Sequence, residues 1–96
     1  MENVFVKSGK VSNIVTGVTA IGTGAWVYKD APKATIQATV TGTGAVTATV
    51  VIDCSNDGVN ACATALGTIS LSGTTTASDG FTTDAPWKFI RARTTA

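Results

Sequence analysis

Four aspartates, Asp53, Asp57, Asp79 and Asp84, are the only carboxylates in the second half of this chain. Paired carboxylates are what glycoside hydrolysis requires, one as acid and one as base or nucleophile. Asn56-Asp57-Gly58 and Ser78-Asp79-Gly80 have the composition of turns, where Asx side chains bond their own backbone, and neither Asp57 nor Asp79 has a histidine or lysine close in sequence to tune it. Turn chemistry is therefore the preferred reading, and no catalytic residue is assigned. The chain contains no histidine, which removes Ser-His-Asp triads and Cys-His dyads at once. An enzyme is not expected.

The same residues bear on metals and cofactors. Asp53, Asn56, Asp57 and Asn60 could offer oxygens, but their spacing does not follow the calcium-binding EF-hand loop. Two cysteines without histidine cannot build a zinc site, and Gly22-Thr23-Gly24 and Gly42-Thr43-Gly44 lack the Gly-Lys-Ser or Gly-Lys-Thr continuation of a phosphate loop. No metal and no cofactor is expected. Cys54 and Cys62 flank Ser-Asn-Asp-Gly-Val-Asn, an arrangement that suits either a disulfide across a hairpin connection or two free buried thiols. Trp26, Tyr28 and Trp87 are the residue types that present flat apolar faces to sugar rings, and equally those that close the end of a β-domain.

What must position these residues is β-structure. In residues 34 to 54, Ala34, Ile36, Ala38 and Val40 alternate with Thr35, Gln37, Thr39 and Thr41; after Thr-Gly-Thr-Gly, Val46, Ala48, Val50, Ile52 and Cys54 resume the alternation. A period of two places the apolar set on one face of extended chain. Strands are expected at 3 to 6, 10 to 16, 25 to 29, 34 to 41, 45 to 54, 61 to 71 and 86 to 93, with the Gly-Thr-Gly segments, the Ser72 to Thr76 run and residues 30 to 32 as turns or loops. No window has a helical period. Seven or eight short strands in 96 residues imply one all-β domain over residues 1–96, an antiparallel two-sheet sandwich of jelly-roll type, with an immunoglobulin-like sandwich as the alternative.

Charged residues make up 14% of the chain, well below the ~25% usual in soluble domains, while threonine supplies eighteen positions. A surface of hydroxyls and methyls costs little to desolvate against another subunit. The net charge of +1 gives no electrostatic footprint for nucleic acid or an anionic membrane, and no apolar run reaches the length of a membrane span. The amino terminus lacks the basic and apolar regions of a secretory signal, so synthesis in a cytoplasm is expected.

One resemblance rests on particular segments: Cys54-Ser55-Asn56-Asp57-Gly58-Val59-Asn60, the run Leu66-Gly67-Thr68-Ile69-Ser70-Leu71-Ser72-Gly73-Thr74, then Ser78-Asp79-Gly80 and Ala85-Pro86-Trp87-Lys88-Phe89-Ile90-Arg91-Ala92. Over about residues 34 to 93 this pattern of turns and strands resembles small structural proteins of tailed-bacteriophage particles, and within them the jelly-roll decoration, or cement, proteins of the head exterior. The resemblance implies a virion protein on the outer capsid surface that bridges major-capsid subunits and self-associates as a dimer or trimer on the lattice. It implies contacts through Val4, Phe5 and Val6, with residues 1–9 as an extended arm or edge strand, and through Trp87, Phe89, Arg91 and Arg93. Arg91 and Arg93 would pair with capsid carboxylates or stand solvated on an edge strand. A further strand is expected beside the last one, supplied by the amino-terminal strand or by a neighbouring subunit. Two other readings stay open: a carbohydrate-binding virion module using Trp26 and Tyr28, and a tail or fibre β-domain.

Overall fold

The structure, a computed structural model, describes residues 3–8, 12–18, 21–28, 34–84 and 87–95. Lys7-Ser8-Gly9 has the composition of a turn, yet Lys7 and Ser8 continue the first strand; Gly9, residues 30 to 32 and the leading Pro86 of the last strand lie outside the described residues. Among the described residues there are seven strands: β1 (Asn3–Ser8), β2 (Ser12–Val18), β3 (Gly22–Thr23), β4 (Val27–Tyr28), β5 (Ala34–Ser55), β6 (Gly67–Thr83) and β7 (Phe89–Thr94). All pairings are antiparallel, they join the seven strands into one open sheet, and there is no helix among the described residues.

The Thr-Gly-Thr-Gly segment does not end a strand. β5 runs through it for 22 residues, paired along one edge with the 17 residues of β6. The ladder passes from Thr41 opposite Thr76 to Ala45 opposite Thr74, so three residues of β5 face the single Thr75 of β6. This is a bulge with two extra residues, and an even number keeps the inward set in phase: Ile36, Ala38 and Val40 before it, and Val46, Ala48, Val50 and Ile52 after it, are all buried. Gly44 (φ +77°) and Thr75 (φ +61°) both take left-handed backbone there, which costs a β-branched residue free energy that glycine avoids.

The bulge also bends the hairpin. Gly67 and Phe81 lie near opposite ends of β6, roughly 46 Å apart if the strand were straight, yet a Cβ at Gly67 would stand 2.6 Å from Cζ of Phe81. The two halves of the sheet therefore turn their apolar faces toward each other. The first half places β1 and β2 beside the start of β5, and the second places β7, β3 and β4 beside its end. Their inner residues form one core cluster, with Val4, Val6 and Ile36 from one half and Val50, Ile52, Ile69, Leu71 and Ile90 from the other.

Several expectations change. β1 is neither an arm nor an edge strand, since it is hydrogen-bonded to β2 on one side and β5 on the other. The neighbour of the last strand is supplied from within the chain: β3 and β4 pair with β7, and Gly24 N donates to the Ala92 carbonyl between them (2.8 Å). The polar run from Ser72 to Thr76 and the Ser78-Asp79-Gly80 segment belong to β6, because β5 runs beside them as a partner, interrupted only opposite Thr75, that turn composition does not reveal. Residues 61 to 66 are irregular, and β6 starts at Gly67.

The close approach at Gly67 gives a direct prediction. Gly67→Ala drives a methyl into the Phe81 ring and is expected to cost about 1–3 kcal/mol in urea denaturation, the usual range for overpacking. Gly22→Ala meets open space and is expected to change stability little. Equal stability of the two variants would show that Phe81 does not lie over Gly67.

Candidate functional site

The outward face of the sheet differs sharply between its two ends. Along β5 and β6 the outward positions pair Thr35 with Thr82, Thr39 with Ser78, Thr47 with Ser72 and Thr49 with Ser70. From Thr35 to Val51 on β5, and from Thr68 to Thr82 on β6, no outward position carries a charge. Thr39 and Ser78 share a hydroxyl hydrogen bond across the strands.

Where β7 joins β5, charge gathers. Asp53 and Arg91 are directly opposite in the ladder, and Arg93 is two residues along on the same face. Arg91 Nε donates to Asp53 Oδ2 (3.0 Å), while Arg93 grips both oxygens, Nε to Oδ2 at 3.1 Å and Nη2 to Oδ1 at 3.3 Å. The two guanidiniums cover the carboxylate so fully that its side chain is 5% exposed, against 23% for Arg91 and 41% for Arg93. Burial alone would raise the Asp53 pKa; the hydrogen bonds from Arg93 and Arg91, and then their charges, outweigh it and hold the carboxyl below its ordinary range. The same bond raises the Arg93 pKa. Trp26, between β3 and β4, lies against the outer side of this cluster, with the Arg91 guanidinium carbon 4.5 Å from the ring centroid, a cation–π contact. Tyr28 meets the edge of Phe89, centroids 5.9 Å apart at 74°.

The structure thus brings Trp26, Tyr28, Phe89, Arg91 and Arg93, expected in two different roles, onto one face. Tyr28 is 59% exposed and open to a partner; Trp26 and Phe89 are half-buried. Trp87 is half-buried at the approach to β7. Arg91 and Arg93 are already paired within the chain, so free arginines awaiting an external carboxylate are not what the fold presents. Val4 and Val6 are wholly buried in the core and cannot contact another molecule; of that group only Phe5 points outward, opposite Thr39. Asp53 is the residue that sequence reasoning placed among turn aspartates. Its alternation with the buried Ile52 and Cys54 was visible, but its arginine partners lie 38 and 40 residues away and only the strand register joins them.

The loop after β5 is built around Asp57, as its composition suggested. Asp57 Oδ1 accepts from Ser55 Oγ (2.7 Å) and from the backbone N–H groups of Val59 (2.8 Å) and Asn60 (2.9 Å), and Oδ2 accepts from Asn60 Nδ2 (3.0 Å). These bonds, the Asn60 backbone first, hold its carboxyl far below the ordinary range. Ser55 Oγ in turn accepts from Asp57 N and Gly58 N, and Asn56 Oδ1 accepts from Lys88 N (3.2 Å), tying the loop to the approach to β7. Of the four residues whose oxygens bear on calcium, Asp57 and Asn56 accept hydrogen bonds within this region, Asp53 accepts from the two arginines, and Asn60 is held through its Nδ2 and backbone N–H. No group of three or more His, Cys, Asp or Glu side chains converges among the described residues.

Cys54 and Cys62 are both free thiols, Cys54 buried and Cys62 half-buried, with Cys62 N donating to the Cys54 carbonyl (3.0 Å). Burial, then a side-chain hydrogen bond with Cys62 and the charges of Cys62 and Asp53, push the Cys54 thiol up to about 11, and its Sγ–H points to the Thr64 carbonyl (3.8 Å). Cys54 is therefore an apolar core residue at neutral pH. Among the described residues no helix is long and apolar enough to cross a membrane. No protein-family model, curated protein or solved structure matches the chain.

The Asp53 cluster sets an acid limit. A carboxyl whose pKa is lower folded than unfolded contributes stability that is present above its unfolded pKa, ~3.9, and is lost as pH falls through the folded value. Urea midpoints measured between pH 6 and pH 2 are expected to fall steeply below about pH 4. Asp53→Asn is expected to cost about 1–3 kcal/mol at pH 6 and to flatten, though not abolish, that decline, Asp57 remaining. An unchanged acid limb in Asp53→Asn would mean that the cluster does not form.

Proposed function

We propose that this chain is a structural protein of a tailed-phage virion, seated on the outside of the capsid, where it bridges neighbouring major-capsid subunits. In this reading the folded-over sheet is a two-layered brick of jelly-roll type. The observation that carries the proposal is the outward hydroxyl face of β5 and β6, free of charge across the whole length of their ladder. Docking an ion-bearing face strands charges in a low dielectric, whereas threonine and serine give up little hydration and still offer donors and acceptors to a partner's main chain. Beyond that ladder the outward face does carry ions, Lys7 on β1 and the Asp53 cluster, in which one carboxylate offsets one of two guanidiniums, so the uncharged surface is that of β5 and β6. A site formed by several capsid subunits, and absent from any one of them, would couple binding to lattice stability by mass action. Symmetric self-association on the lattice fits the same surface. The resemblance of residues 34 to 93 to head decoration proteins supports the assignment and is independent of the charge argument.

Purified protein is expected to co-sediment with expanded, undecorated heads at about 10 μM and to raise their disruption temperature by several degrees, as binding only the assembled state requires. Absence of binding at that concentration discards the capsid reading, and recovery of the chain with tails would move it to a tail or fibre.

One observation favours a second reading, a carbohydrate-binding virion module. Tyr28 is largely exposed beside Trp26 and Phe89, a patch on which a sugar ring could stack. A glycan array with the wild type and Tyr28→Ala tests it: binding abolished in the variant supports this reading, and no bound glycan with unchanged tryptophan fluorescence removes it.

A further inference from the structure

A sheet that is not closed has edges, and each edge offers unpaired main-chain donors and acceptors to another chain unless something blunts it. Among the described residues this sheet has three. β2 is offset from β1 by two register shifts, between Val4 and Val6 and between Val6 and Lys7, and bulges of that kind twist an edge away from straight pairing. β3 and β4 are two residues each and do not form a continuous edge along β7. β6 is long, and its two halves differ. Beyond the bend its inward row includes Asp79, opposite Ala38 yet exposed, an inward charge of the type that resists a further strand. Before the bend, Gly67 to Thr74 pair with β5 without a register shift and contain no charge, no proline and no bulge. Eight extended residues present about 26 Å of open edge.

We propose that this stretch of β6 pairs antiparallel with the same stretch of a second copy of the chain, so that the two sheets continue across a two-fold axis. The occupant follows from the side chains. Thr68, Ser70, Ser72 and Thr74 stand exposed on the outward face. In a two-fold antiparallel pair they meet one another, and hydroxyls, which both donate and accept, are complementary to themselves. A partner of different chemistry would find no charged group here to recognise. The inward residues Ile69 and Leu71 are already buried within their own chain, so the edge contributes a continued ladder and needs no rearrangement. The proposal deepens the self-association of the preceding reading but stands on β6 alone.

Analytical ultracentrifugation of the full chain near 100 μM is expected to give twice its 9.7 kDa mass. The variant Ser70→Lys/Ser72→Lys, which sets like charges facing across the axis, is expected to sediment as a monomer with an unchanged circular dichroism spectrum. Thr82→Lys, on the guarded half of β6, is expected to remain a dimer. Hydrogen exchange reads the edge without any substitution: edge-facing amides between residues 68 and 74 are expected to exchange at least about tenfold more slowly near 100 μM than near 1 μM. A wild-type monomer, a trimer, or a dimer whose exchange in this stretch is independent of concentration would overturn the proposal. Failure here with head binding retained would leave the capsid reading standing, and a dimer that ignores heads would do the reverse.

Discussion

Everything in this fold hangs on the ladder between β5 and β6. It is continuous at both ends and interrupted once, where Gly42, Thr43 and Gly44 stand against Thr75. Two extra residues preserve the inward phase while breaking the straightness of the pair, so one amphipathic hairpin becomes two facing halves. A straight hairpin of this length would leave its apolar row in water; the bend gives Ile36, Val40, Val50 and Ile52 each other to pack on. Burying a side chain of that size is worth about 1.5–3 kcal/mol. The remaining strands add to edges that β5 already provides, β1 and β2 at its start and β7 with β3 and β4 at its end.

The Asp53 cluster acts on the same frame. Removing three ionic groups from water is costly, and their attraction largely offsets that cost without a large surplus. What the cluster does contribute is register. A slip of β7 by one residue along β5 would turn Arg91 and Arg93 into the apolar interior and Ile90 and Ala92 outward, leaving Asp53 buried without a partner. The arginines therefore fix where the last strand lies, with Trp26 stacked on Arg91 helping to hold the β3 and β4 segment over it.

Much of this was legible in the alternation of residues 34 to 54, whose inward set from Ile36 to Cys54 is buried, and in Asn56-Asp57-Gly58, whose aspartate organises its loop as that composition predicts. What failed failed for a common reason. Gly-Thr-rich segments suit a turn and a bulge equally well, and a run such as Ser72 to Thr76 is a loop or a strand depending on what lies beside it. That choice is made by a partner some thirty residues away. The same holds for Val4 and Val6, which the resemblance placed on an arm or edge strand and which pairing with β2 and β5 buries, and for the two arginines, whose carboxylate is found only through register.

The result is a small domain with one carboxylate and two guanidiniums clustered at one end of its sheet and an uncharged, hydroxyl-rich row along the outward face of β5 and β6. That description requires the folded-over sheet, because only the bend separates a buried apolar face from an outward polar one. The most direct test is proton NMR of the contact between the two halves of β6. The account predicts nuclear Overhauser effects between the Phe81 ring and the Gly67 α-protons, with those protons shifted upfield by the ring current. Cross-strand effects typical of an uninterrupted straight hairpin, with none between Phe81 and Gly67, would contradict it.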